Sequence, residues 1–316
     1  MLQIYKSNCN TLNVLTAATT EKGAWVNLIN PTVEELAITA EITGVNSDML
    51  KAALDEEERS RTETDDGCLL VITNIPVVRG KDGYDTLPLG IIVTADYFIT
   101  VCLEANDVLA EFCPANARLF STFKKTRFLF QILYKSAAYY LRYLKQINRR
   151  TDEIETHLRK SMKNQELFDL LDLQKGLTYF SVSLRSNGIV LERLLRMRTN
   201  SQLQNLIKMY EEDEDLLEDV IIENKQAIEM VEMYTHILNG MMDTFASIIS
   251  NNLNIVMKFL ASMTIILAIP TMIASFFGMN VPIPFAEYPS GFLYIVIIAF
   301  LLAVITVVGL WKKKML

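Results

Sequence analysis

FLASMTIILAIPTMIASFF, residues 259–277, and GFLYIVIIAFLLAVITVVGLW, residues 291–311, contain no Asp, Glu, Lys, Arg or His. Each run is about 20 residues, and at ~1.5 Å of rise per residue such a helix crosses a hydrocarbon core of ~30 Å. Residues 1–258 hold nearly all the charge of a chain that is 51% hydrophobic and 21% charged, with a mean hydropathy of +0.22. That average is too apolar for an ordinary soluble protein and too charged for one lying wholly in lipid. Burying both runs as core helices would need a large apolar surround that the rest of the chain does not offer. The reading is an integral membrane protein, with two C-terminal transmembrane helices behind a large acidic region; the net charge is −7.

Basic residues near the end of a span are retained on the cytoplasmic side. Lys258 precedes the first run and Lys312, Lys313 and Lys314 close the second, whereas 278–290 carries no Lys or Arg and a single acid, Glu287. A multi-pass protein of the cell membrane is expected, with both termini cytoplasmic and the loop 278–290 outside. MLQIYKSNCN at the start lacks the basic stretch and apolar run of a cleaved signal. Cys9, Cys68, Cys102 and Cys113 make no CxxC pair and read as buried reduced thiols. His157 and His236 lie too far apart for a zinc cage and read as ordinary helix residues.

Residues 1–120 read as an α+β cytoplasmic domain, αβα with a mixed sheet, since short β-rich runs alternate with helical ones. Strands are expected over 24–29 (AWVNLI), 68–78, 87–93 and 97–104, with turns at 80–83 and 94–96. Asn30-Pro31-Thr32 opens a helix with Glu34 and Glu35 in its first turn, and a second helix is expected over 47–59. Residues 121–257 read as long cytoplasmic helices: 123–163 and 165–197 carry apolar residues at three- and four-residue steps without a proline. The longest helix is expected to start near Ser201 and to continue through Leu217, Val220, Val231, Leu238 and Phe245 into the first span. It would be about 115 Å long at ~1.5 Å per residue. Such a helix needs partners along its apolar stripe, from this chain or from copies of it, so a homo-oligomer is expected. The transmembrane domain covers 258–316, with spans at about 258–277 and 291–311 and a basic tail at 312–316.

Asn254, Met257, Ala261, Thr264, Ala268, Thr271, Ser275 and Gly278 recur at alternating steps of three and four, the spacing of one helix face. Phe259, Met263, Ile266, Leu267 and Ile273 fill the other sides. A stripe of small residues lets two membrane helices pack closely; in a ring of copies it encloses a narrow uncharged path. The second span is apolar almost all round, as a lipid-facing helix is, which leaves the first to face its own copies.

Gly278-Met279-Asn280 follows the first span, then Val281-Pro282. A GMN triplet at the end of the first of two C-terminal spans resembles the signature of the CorA family of Mg²⁺ channels, the 2-TM-GxN group. WVNLINPTVEEL, LDEEERSRTETDDGCLLVITNIP, NIVMKFLASMTIILAIPTMIASFFGMNVP and the basic end WKKKML are similar to CorA segments, so the resemblance covers nearly the whole chain. It implies a cytoplasmic αβα domain, a long helix entering the first span, and a homopentameric funnel whose first spans line the pore. It also implies Gly278, Met279 and Asn280 as the ion-selecting loop and Asn254, Met257, Leu260, Thr264 and Ala268 along the path, Met257 and Leu260 forming a constriction that closes by dewetting. Pro270 lies one residue nearer the GMN than in the CorA sequences compared, which bears on Thr271. Mg²⁺ releases its water reluctantly, and a ring of Asn280 amide oxygens can accept hydrogen bonds from that water. No GxxxxGK[ST] run for ATP is present, and a cation moving down the membrane potential gains ~2.3 kcal/mol per charge per 100 mV.

Glu211 to Asp215 (EEDED), with Glu218 and Asp219, fill the start of a predicted helix with acids, which a solvated face and the helix dipole both accommodate. By resemblance, Asp219 meets Asp66 of a neighbouring subunit across a regulatory Mg²⁺, with Asp65 beside it and Asp152 at a further site, so that internal Mg²⁺ favours a closed pore. The function expected is potential-driven uptake of Mg²⁺, with Co²⁺ or Ni²⁺ as further ions. The alternatives are a zinc transporter of the ZntB type and a membrane Mg²⁺ sensor or scaffold without transport. Expected partners are copies of the chain, the lipid bilayer and divalent metal ions, with no nucleic acid; no nucleophile and base arrangement marks an enzyme.

Overall fold

The computed structural model describes residues 1–8, 11–80, 83–161, 164–197, 207–279 and 290–313. The chain divides into two compact units, Met1–Gly240 and Met241–Leu316.

In the first unit, strands β1 (Leu2–Asn8), β2 (Thr11–Leu15), β3 (Trp25–Ile29), β4 (Arg61–Asp65), β5 (Cys68–Arg79), β6 (Gly83–Val93) and β7 (Phe98–Cys102) form one mixed sheet in the order β2-β1-β3-β7-β6-β5-β4. Only the pair β3–β7 is parallel. The centre is legible because CLLVITNIPVV is a near-continuous apolar run, as a strand covered on both faces requires. Alternate residues leave opposite faces of a strand. Leu70, Ile72, Ile92, Ile99 and Val101 join Leu36, Val45, Met49 and Leu50 in one buried cluster beneath helices α1 (Val33–Thr43) and α2 (Ser47–Lys51). The other face meets the long helices α4 (Lys125–Ser161) and α5 (Asn164–Met197), Phe128 lying against Trp25 and Phe98 with ring centroids 5.2 and 4.6 Å apart. A short α3 (Asp107–Ala110) links sheet to helices, and its Asp107 accepts the Tyr143 hydroxyl at 2.6 Å. The fold is therefore αβα, with the mixed sheet in the middle.

The helix expected over 47–59 is shorter. It ends at Lys51 and passes through a single 3-10 turn, Ala52–Leu54. Asp55 Oδ1 accepts the Glu57 N–H at 3.0 Å, and this local side-chain bond replaces the next helical one. Of the strands not expected from the sequence, β2 and β4 are short edges, β4 largely polar, and β1, an inner strand between β2 and β3, mixes polar with apolar residues (LQIYKSN). The strand expected over 97–104 closes at Cys102.

The longest helix, α6 (Glu211–Phe277), has 67 residues and stays helical through Pro270. It begins at Glu211, not near Ser201; residues 201–206 lie outside the described set, and 207–210 are not helical. The start is built locally. Asp213 Oδ2 accepts the Tyr210 N–H at 3.2 Å, one half of a capping box, and four acids in the first turn complement the dipole. Leu217, Val220, Asn224, Ala227, Val231 and Leu238 are buried at three-, four- and seven-residue steps. In the second unit, α7 (Gly291–Lys312) is apolar throughout, and both it and α6 carry runs long and apolar enough to cross a membrane.

Candidate functional site: one face of the stalk helix and two acidic positions

From Asn254 to Thr271 the whole predicted path lies on α6. Asn254, Met257, Leu260, Thr264, Ala268 and Thr271 are all exposed on the single chain, Met257 at 58% and Leu260 at 53%. The two threonines have a defined polarity. Thr264 Oγ1 donates to the Leu260 carbonyl at 2.9 Å and Thr271 Oγ1 to the Leu267 carbonyl at 2.8 Å. A hydroxyl whose proton is committed to the preceding turn presents only acceptor lone pairs outward. This was not anticipated from the sequence, although threonine within a helix is the signal for it.

α6 ends where the signature begins. Gly278 N–H reaches the carbonyls of Ala274 and Ser275 at 3.0 and 3.2 Å, and a Cβ at 278 would stand 3.3 Å from the Ala274 oxygen. Met279 is 52% exposed. Asn280 and the loop through residue 289 lie outside the described residues, as do Cys9 and Lys314.

Asp66 occupies a feature that the sequence reading passed over. Strands β4 and β5 pair with Asp65 opposite Cys68, so Asp66 and Gly67 are the two turn residues of a hairpin. Both have positive φ, 41° and 74°, the geometry that makes Asp-Gly a preferred two-residue turn. The Asp66-Gly67 dipeptide between TETD and CLLV was the available signal. Asp65 and Asp66 are exposed at this tip, and neither side chain is paired with a cation among the described residues. The neighbouring Cys68 thiol is pushed up by burial and then by the two carboxylates, so it stays protonated.

Asp219 is exposed on α6, one residue before buried Val220, and lines a cleft of about 370 Å³ with Glu111, Arg127, Lys135, Glu212 and Asp215. Glu212 pairs with Arg127, and Glu111 with Lys135 at 3.2 Å. The Tyr139 hydroxyl and then Lys135 hold the Glu111 carboxyl below its usual range. Asp152 is exposed on α4. Among the described residues, no three His, Cys, Asp or Glu side chains of one chain come together as a metal cage. The oxygens of Asp65, Asp66 and Asp219 are of the hard type that suits Mg²⁺, but one chain offers an incomplete set. Of the three described cysteines, Cys102 is fully buried, Cys68 and Cys113 are partly exposed, and all three are free thiols. His157 and His236 are exposed residues of α4 and α6.

A mixed α+β unit, a long helix whose C-terminal part is an apolar run, and a second apolar helix further along the chain together define an architecture with two helices long and apolar enough to cross a membrane. The CorA-like Mg²⁺ transporter protein family model matches residues 20–314. A curated relative, the cobalt/magnesium transport protein CorA of Methanocaldococcus jannaschii, is 29% identical over 278 residues, 85% of this chain and 83% of the relative. The complete structure of the CorA magnesium transporter from that organism superposes with a TM-score of 0.82 at 25% identity, over 97% of this chain and 96% of the other. The cytoplasmic domain of ZntB from Vibrio parahaemolyticus matches at a TM-score of 0.59 and 15% identity, over 79% and 96%, which is likeness of fold alone. This chain belongs to the CorA family, and is accordingly a transmembrane divalent-cation transporter, not an enzyme.

Proposed function

We propose that the chain forms a homopentameric, potential-driven channel that carries Mg²⁺ into the cell, with Co²⁺ as a further ion. The observation that carries this reading is the face of α6 on which Asn254, Met257, Leu260, Thr264, Ala268 and Thr271 stand exposed, leading to Gly278 and Met279 with Asn280 next in sequence. The name of the curated relative supports the two ions. Lys258, Lys312 and Lys313 at the ends of the apolar runs favour cytoplasmic termini. In the domain scheme, residues 1–120 sense, 121–257 transmit and 258–316 conduct.

Mg²⁺ keeps several waters when bound, and those waters donate hydrogen bonds outward. The acceptor-only hydroxyls of Thr264 and Thr271 and the amide oxygen of Asn280 receive them, whereas a ring of carboxylates would hold the ion harder and release it more slowly. Met257 and Leu260 supply the dewetting constriction. Driving force comes from the potential, ~2.3 kcal/mol per charge per 100 mV and about twice that for a divalent ion. Asp66 at the hairpin tip and Asp219 of the neighbouring subunit hold the regulatory Mg²⁺, with Asp65 beside them and Asp152 at a second position; losing that ion leaves carboxylates in mutual repulsion and favours opening.

The test is Mg²⁺ uptake into proteoliposomes of set internal potential, comparing the native protein with Asn280→Ala. Influx that follows the potential and falls more than about tenfold in the variant is expected, a change of ~1.4 kcal/mol or more. Zn²⁺ flux that requires a pH gradient would replace this reading with a zinc transporter. Absence of any flux would leave a sensor.

A further inference from the structure

One polar residue interrupts the buried stripe of α6. Leu217, Val220, Ala227 and Val231 are 0–1% exposed, and Asn224, in phase with them, is 4% exposed. Its Nδ2 donates to the Leu184 carbonyl of α5 at 3.1 Å. Gly188 lies on the next turn, where a Cβ would stand 3.4 Å from that nitrogen, so the amide packs closely on the α5 backbone. Beside it lies a void of about 10 Å³ where four elements meet, with polar lining from Thr73 of β5, Ser136 and Tyr140 of α4, Asn187 of α5 and Asn224 of α6. Ser136 is 3% exposed, and its Oγ has no hydrogen-bond partner among the described residues. Asn187 and Tyr140 of this junction are paired. Asn187 accepts from the Asn74 N–H at 2.9 Å and donates to the Asn74 carbonyl at 2.8 Å, and the Tyr140 hydroxyl donates to the same carbonyl at 2.9 Å.

A space of this size with several polar groups around it accommodates one water, and a buried hydroxyl without a partner is what such a water satisfies. A lone asparagine in a heptad stripe costs stability but fixes register, since any axial shift leaves its amide unpaired in an apolar surround. We propose that Asn224, with a single water held on the Ser136 hydroxyl, locks the axial register of α6 against α4 and α5. The lock matters for transport because the same helix continues into the first span. A one-turn shift, ~5.4 Å, would move Asn224 out of the junction, so α6 has discrete settings and no continuous slide. Asn224 and Ser136 are positioning residues that touch no ion. The functional consequence rests on α6 lining the path; the lock itself does not.

Arg185 of α5 and Glu232 of α6 form an exposed ion pair at 2.7 Å and report the native register. In the full-length protein with its own cysteines replaced by alanine, Arg185→Cys with Glu232→Cys should cross-link readily, while Arg185→Cys with Glu229→Cys or with His236→Cys should not. Adding Asn224→Leu should increase cross-linking of the shifted pairs at least about tenfold while keeping or raising the thermal midpoint, as expected when a register-setting polar residue is removed. Asn224→Ala repeats the comparison if leucine is too large for the junction. Density for one water on Ser136 Oγ is expected at high resolution, and Ser136→Ala should lower the midpoint by about 2–4 °C. An unchanged cross-link pattern in both Asn224 variants overturns the proposal. So does a dry void with the Ser136 hydroxyl turned onto the Ile132 carbonyl, for which Ser136→Ala would not lower the midpoint. None of these readouts involves ion flux, so a failure of the transport reading is seen separately.

Discussion

The two halves of α6 differ in charge and in surroundings: residues 211–243 carry eleven acids and residues 244–277 none. In the first half, Leu217 and Leu238 are 0% and 1% exposed, packed within the unit that contains the sheet; in the second, Leu253 and Leu267 are 62% and 64% exposed. The same periodicity thus meets two solvents. The first half hides its stripe within its own chain. The second presents apolar side chains to whatever surrounds one chain, which for a membrane span is lipid or another helix. In the first half a buried leucine contributes to the stability of the fold, while in the second an exposed one contributes little within its own chain.

Truncation should separate the halves most strongly. Leu217→Ala opens a cavity and should cost about 2–5 kcal/mol, whereas Leu267→Ala should change the unfolding of the solubilised full-length protein by about 0.5 kcal/mol or less. Denaturation of the two variants side by side checks this, and equal losses would mean that the exposed half is packed within its own chain after all. A smaller effect is expected on the outward side of the first half, where Asp219 stands free one residue from buried Val220. Asp219→Asn or Asp66→Asn should raise the internal Mg²⁺ concentration that half-inhibits transport by about fivefold or more. Asparagine is the informative substitution at 66, because it tolerates the positive φ that alanine there would strain. Inhibition that is unchanged in both variants would remove these residues from regulation.

The smallest effect tests polar pairing inside the first unit. Burial and then its hydrogen bond to Glu111 raise the Tyr139 hydroxyl to about 12. A group raised on folding contributes fully below its unfolded value, near 10, and loses that contribution as pH climbs toward the folded value. The native midpoint should therefore fall more steeply than that of Tyr139→Phe between about pH 10 and 12. Parallel curves would show that this tyrosine adds no pH-dependent stability.

Much of the architecture was legible in the residues because its signals are local and strong. Two charge-free runs of about 20 residues specify spans regardless of context, and prolonged helical periodicity specifies α4, α5 and most of α6. The weaker elements escaped for physical reasons. β4 is a polar edge strand, RTETD, recognisable chiefly through the Asp-Gly turn that follows it. The α2 segment was over-extended because Asp55 to Glu58 suit a helix by propensity, while the Asp55 side chain captures the backbone first. Similarly, the acid run at 211–215 indicated a helix start, yet the longer apolar pattern suggested one ten residues earlier, and the Tyr210–Asp213 cap decides for the later.

The amino-acid sequence by itself determined that the chain crosses a membrane twice, which stripe of the first span is polar, and which triplet ends it, since each depends only on composition and helical phase. The structure shows that Asp66 stands at a hairpin tip with positive φ, that the Thr264 and Thr271 hydroxyls present acceptors, and that Asn224 is buried against α5 beside a serine without a partner among the described residues. The Asn224 junction comes from contacts between residues far apart in the chain, whereas the hairpin tip and the threonine hydroxyls are local features whose signals, Asp-Gly and threonine within a helix, are present in the residues.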